Sequence, residues 1–132
     1  MGQHDLLLRV LVVDDEPLAL DITARLLKDV GFDVSTATSA KEALALIAES
    51  DPAVHLVLTD VVMPETDGHT LGRLIGEKHP GLPVLYMSAY PANDIFHRGA
   101  PGPGIPFLAK PFTSTELRAA IQSLIVRPAN RF

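Results

Sequence analysis

Apolar residues along this chain of 132 residues switch repeatedly between two spacings. Leu8 to Val13 is a β-rich apolar run of strand length, and behind it Leu18, Ile22, Leu26 and Val30 recur every four residues up to Gly31, the pattern of a helix and its stop. Phe32 to Thr36 reads as a second short strand. Ser39 and Glu42 then stand in capping-box spacing and open a helix with Ala43, Leu44 and Ile47 inward. A third strand, Val54 to Thr59, ends on Asp60. After a turn marked by Pro64, Asp67 and Gly68, a helical stretch carries Leu71, Leu74 and Ile75 as far as His79 and Pro80. Leu82 to Met87 is a fourth strand, ending on Ser88. Ile105 to Ala109 is a fifth, ending on Lys110. Thr113 and Glu116 form a second capping box ahead of a helix whose inner face is Leu117, Ala120, Ile121 and Leu124.

Five βα units predict an α/β fold, a five-stranded parallel sheet wound with helices on both faces, and the nearly continuous apolar first, third and fourth strands suit burial on both sides. Between Pro91 and Pro106, Pro101, Pro103, Gly99, Gly102 and Gly104 leave room for about two helical turns around Ile95 and Phe96. The fourth helix is therefore expected to be short or distorted. One domain is expected over residues 8–125, with residues 1–7 an N-terminal extension and 126–132 a tail.

Composition narrows the function. Hydrophobic residues make up 47% of the chain, enough for one core. The absence of cysteine excludes disulfides, thiolate metal sites and a cysteine nucleophile, and it suits a reducing interior, so a cytoplasmic location is expected. The apolar run from Leu6 to Val13 contains Arg9 and is far shorter than the roughly 20 residues of a membrane span. A polar Met1 to Asp5 does not read as a secretory signal. Net charge is −5, with scattered basic residues, which argues against direct nucleic-acid binding.

In such a sheet, ligands bind beyond the carboxyl ends of the strands. Those ends carry Asp14 and Asp15, Asp60, Ser88 and Lys110. Carboxylates about 5 Å apart repel by roughly 3 kcal/mol per pair at an effective dielectric near 20, so such a cluster calls for a counter-charge. Mg²⁺, a hard cation that takes oxygen ligands, suits Asp14, Asp15 and Asp60. Glu16 is read as a favourable charge at a helix start, not as a ligand. With a hydroxyl and an ammonium added, the set matches phosphoryl transfer, and Asp60, alone at its strand end, is the best nucleophile.

From Leu8 to Ile125 the chain resembles the receiver domain of two-component response regulators. "VVDDEP", "LVLTDVVMPETDG", "VLYMSAY" and "FLAKPF" stand in that family's order and at about its spacing. The resemblance implies a doubly wound, flavodoxin-like (βα)5 fold. It implies that Asp14 and Asp15 bind Mg²⁺ together with Asp60 and the main-chain carbonyl of Val62. It implies further that Asp60 accepts the phosphoryl group, that Ser88 and Lys110 hold it, and that Pro111 follows a cis peptide bond. Ser88 and Phe107 are the implied switch residues. Many members carry tyrosine where this chain has Phe107, which offers no phenolic hydroxyl.

The implied partner is a sensor histidine kinase or phosphotransfer domain, with an effector the sequence does not name. The chain reads as a free-standing response regulator or as the receiver of a hybrid histidine kinase, whose terminal receivers "VLYMSAY" and "PFLAKPF" resemble. Homodimerisation stays open, because the surface the family normally uses runs through residues 91–106. The chain is thus expected to be a phosphoacceptor and not an enzyme, with kinase activity residing elsewhere. An alternative is a Mg²⁺-dependent phosphatase passing through an aspartyl phosphate. It usually needs a second acid two residues after the nucleophile, where this chain has Val62, and a cap for which there is no spare length. A flavin-binding protein of the same topology needs a phosphate-cradling loop after the first strand, and "DDEP" would repel a phosphate.

In the family, the positions of Val62 and Tyr90 tune the life of the phosphoryl group. Neither side chain readily serves as an acid or base for an attacking water. Slow self-dephosphorylation is the expected outcome, measured as decay of the phosphorylated protein after removal of the donor; a half-life of seconds without a phosphatase would contradict it.

Overall fold

Strands β1 (Arg9–Val13), β2 (Asp33–Ala37), β3 (Leu56–Asp60), β4 (Val84–Ser88) and β5 (Phe107–Ala109) lie parallel in one sheet, in the order β2-β1-β3-β4-β5. Helices α1 (Pro17–Asp29), α2 (Ala40–Glu49) and α3 (Gly68–Lys78) and a C-terminal helix (Ser114–Ile125) connect and cover them. The computed structural model describes residues 8–49, 53–61, 63, 68–88 and 107–125. The expected fourth helix, Pro64 and Asp67 of the expected turn, and the two chain ends lie outside these residues.

The period of two along the strands sorts the core into two layers. From β1, Val10 and Val12 join Leu58, Leu85 and Met87 beneath Leu20 and Leu27 of α1 and Leu117 and Ile121 of the C-terminal helix. Leu11 and Val13 face the other way, with Val57, under Ala40 and Ala43 of α2 and Leu71 and Ile75 of α3. Strands β1, β3 and β4 are buried on both faces along most of their length, as their unbroken apolar character predicts. The direction of winding reverses between β1 and β3, which opens a crevice at their carboxyl ends.

Local signals set the helix starts. Pro17 occupies the first turn of α1, where its missing N–H is not needed. At the C-terminal helix the capping box is reciprocal: Thr113 Oγ1 accepts from the Glu116 N–H at 3.0 Å and Glu116 Oε1 accepts from the Thr113 N–H at 2.9 Å. At α2, Ser39 Oγ accepts from the Glu42 N–H at 3.1 Å, but the Glu42 carboxylate reaches one residue further back, to the Thr38 N–H at 2.7 Å.

Helix α1 corrects the sequence reading. Its inward residues are Leu20, Thr23, Ala24 and Leu27, whereas Leu18 is 72% exposed and Ile22 56% exposed. Apolar residues surround much of this helix, so a four-residue repeat can be drawn along more than one face. Sheet contact selects the face through Leu20 and Leu27, which leaves Leu18 and Ile22 on the surface and Leu26 half-buried against the edge of the core.

Candidate functional site

Strand register brings the polar strand ends to one rim. Val13 pairs with Thr59, Asp60 with Met87, and Ser88 with Ala109. Asp14 and Asp60 therefore stand level on adjacent strands, Ser88 one residue beyond Met87, and Lys110 one beyond Ala109. Main-chain bonds tie the rim together: the Asp14 N–H donates to the Ala37 carbonyl, the Val61 N–H to the Met87 carbonyl and the Lys110 N–H to the Ser88 carbonyl.

At the centre, the Lys110 ammonium lies 2.9 Å from Asp14 Oδ2 and 3.2 Å from Asp60 Oδ2. Asp14 is fully buried, and its other oxygen, Oδ1, accepts the Glu16 N–H at 3.0 Å. Its two oxygens thus receive one charged and one main-chain donor, which offsets the cost of burying a carboxylate. Burial is the largest single influence on Lys110 and pushes its pKa down. The hydrogen bond to Asp14 and the charges of Asp60 and Asp14 together outweigh burial, so the ammonium titrates above the ordinary lysine range.

Four of the expected residues are drawn to this rim: Asp14, Asp60 and Lys110 by direct contact, and Ser88, buried, by register. Asp15 follows Asp14 directly and is exposed. The Lys110–Pro111 peptide bond is cis. Phe107 is half-buried against Val61 and Tyr86. Val62 and Tyr90 lie outside the described residues. Glu16 caps α1 through its backbone, with no side-chain hydrogen bond to the helix.

Sequence reasoning missed the glycines that bring α3 close to the rim. The Gly68 N–H donates to the Val61 carbonyl at 2.8 Å, and a Cβ on Gly68 would overlap the Asp60 carbonyl oxygen. A Cβ on Gly72 would overlap the Tyr86 hydroxyl. The glycines at 68 and 72 were visible, but the distance from helix to sheet that makes them necessary was not.

For a cation, the donors are hard oxygens, and two of them sit 2.9 and 3.2 Å from a single nitrogen, hence at most about 6 Å apart. Among the described residues no group of three or more His, Cys, Asp or Glu side chains gathers closely enough to hold a metal ion. This geometry fits Mg²⁺ bound through one or two carboxylates and its own waters better than a closed protein cage.

Comparison with known proteins agrees with the geometry. Residues 10–122 match the family described as response regulator receiver domain. The chain is 34% identical, over 93% of its length, to the two-component response regulator ORR21 of Oryza sativa subsp. indica, of which it covers 18%. It is 37% identical, over 88% of its length, to the sensor kinase CckA of Brucella abortus (strain 2308), of which it covers 12%. Among solved structures, it matches a response regulator receiver domain protein from Clostridium thermocellum with a TM-score of 0.79 and 31% identity, covering 93% of this chain and 98% of that one. The chain thus spans less than a fifth of each of these two curated relatives.

Removing the ammonium leaves Asp14 buried without its charged partner. Lys110→Met is expected to lower stability at pH 7 by about 3 kcal/mol in urea unfolding. The folded-state pKa of Lys110 lies above the unfolded value, so its contribution is complete below about pH 10 and is lost as the pH rises through the folded value. The gap between wild type and variant should therefore hold from about pH 6 to about pH 9 and narrow above about pH 10.4.

Proposed function

The chain belongs to the response regulator receiver domain family, and on that premise we propose that it accepts a phosphoryl group on Asp60 from a phosphohistidine and signals by changing its surface. The observation that carries this reading is the contact of one ammonium, Lys110, with the two carboxylates Asp14 and Asp60 at the ends of adjacent strands. Such a site holds positive charge ready for an incoming phosphoryl group at an anionic nucleophile.

An Asp60 carboxylate oxygen attacks phosphorus, the P–N bond to the donor imidazole breaks, and the imidazole leaves with the bonding pair and takes up a proton. Lys110 meets the charge on the phosphoryl oxygens, and Ser88, two positions past Tyr86 on β4, donates its hydroxyl to one of them. Asp14 and Asp60 would hold Mg²⁺ with its own waters, Asp15 and the Val62 carbonyl being the further ligands that the family resemblance implies, and the ion when bound neutralises charge on the phosphoryl oxygens. Ser88 and Phe107 then shift, and the surface around β5 and the C-terminal helix changes for an effector.

A histidine kinase or phosphotransfer domain suits the surface beside the site. A groove of about 360 Å³ borders Lys110 and is lined mainly by apolar atoms, including those of Ala19, Ile22, Leu26, Pro111 and Phe112. With exposed Leu18 and Ile22, it offers a helical donor apolar contact next to the acceptor. No helix among the described residues is long and apolar enough to cross a membrane.

Intact mass after incubation with acetyl phosphate and Mg²⁺ tests the reading. Wild type is expected to gain one phosphoryl group, about 80 Da. Asp60→Asn, or wild type in EDTA, is expected to gain none. An equal adduct on Asp60→Asn would contradict the assignment of the acceptor.

A further inference from the structure

Beside the core contacts of Leu71 and Ile75, two glycines of helix α3, one turn apart, lie against the sheet, each over a different strand. At Gly68 the helix backbone lies against the main-chain carbonyl of Asp60, and at Gly72 against the hydroxyl of Tyr86; in both places a Cβ would collide. Gly76, a further turn along, has open space around it. Glycine inside a helix costs stability relative to alanine, so close approach is what positions 68 and 72 gain in return.

Both contacts lead back to the phosphoacceptor site. The Asp60 carbonyl under Gly68 also accepts the Thr59 hydroxyl at 3.0 Å. Thr59 pairs with Tyr86, and Tyr86 with Phe107, so one row of side chains crosses three strands on the α3 face of the sheet. Tyr86 is 7% exposed and packs with Val61, the residue after the acceptor, and with Phe107. It shares its face of β4 with Ser88, two residues on. The phenolic hydroxyl missing at Phe107 is thus present one strand inward, where it meets a helix.

We infer that α3 is an output arm of the site and that Tyr86 is the positioning residue that carries a change at Ser88 and Phe107 to it, through its contact with Gly72. The inference rests on the phosphoacceptor reading of Asp60. Its mechanics are those of a lever: the two anchors lie about 6 Å apart along the helix axis. If β3 and β4 shift by amounts differing by about half an ångström, the helix tilts by about 5° and its far end moves by about 1 Å. A rigid helix anchored on both strands cannot follow one and ignore the other.

Hydrogen exchange of the whole chain, with and without acetyl phosphate and Mg²⁺, tests the coupling, and intact mass measured in parallel gives the phosphate occupancy. In wild type, amides of residues 68–78 are expected to change exchange rate at least twofold on phosphorylation. In Tyr86→Phe, at equal occupancy, the change should fall below half of the wild-type change. Gly76→Ala, at the turn of α3 where a Cβ meets open space, should keep the full response, so that a loss in Tyr86→Phe is specific to the contact and not a general effect of altering the helix. A full response in Tyr86→Phe, an equal loss in Gly76→Ala, or no response of α3 in phosphorylated wild type would each overturn the inference while leaving the acceptor role intact. A folded wild type that takes no phosphoryl group would overturn the acceptor reading, and the inference with it.

Discussion

One ammonium between two carboxylates holds the carboxyl ends of the strands together. Lys110 reaches Asp14 and Asp60 from positions 96 and 50 residues away in sequence. Asp14 is fully buried, and a buried carboxylate is tolerated only when its oxygens are met by donors and its charge by an opposite charge. Lys110 and the Glu16 N–H do both. The need for this pairing fixes what the sheet must achieve: β1, β3 and β5 must end at one level, with β4 between β3 and β5.

The sheet meets that need through side chains whose only role is to be apolar and alternate. Val10, Val12, Leu58 and Met87 seat α1 and the C-terminal helix on one face, and Leu11, Val13 and Val57 seat α2 and α3 on the other. With both faces covered, a slip of one residue in β1 or β3 would send each core side chain to the opposite layer and separate Asp14 from Asp60. The opposite end of the sheet is held more lightly, by the Arg9 pair with Asp33, whose carboxylate is 45% exposed, and by the Arg9 N–H bond to His55 Nδ1.

Much of this was legible in the residues, and what was not had a physical reason. The strand ends could be read because apolar runs stop abruptly on Asp14, Asp60, Ser88 and Lys110. The C-terminal helix start could be read because Thr113 and Glu116 carry a local mechanism that needs no tertiary partner. The buried face of α1 could not be read: Leu18, Ile22 and Leu26 alternate with Leu20, Ala24 and Leu27, and only contact with the sheet decides between them. Tyr86 was hidden for a similar reason. Within "VLYMS" it reads as one more buried strand residue, and its meaning comes from Gly72, which is near in space and distant in sequence. The exposed stripe on α1 and the close packing of α3 are both consequences of helix placement, and both border the site.

In the proposed function this convergence makes Asp60 the phosphoacceptor, which chemical trapping at the residue can decide. Borohydride reduces an aspartyl phosphate to homoserine, so the protein would be treated with acetyl phosphate and Mg²⁺, reduced, digested and sequenced by mass. Homoserine is expected at position 60 and at no other aspartate. Homoserine at Asp14 or Asp15, or a phosphoryl group on a residue other than aspartate, would contradict it.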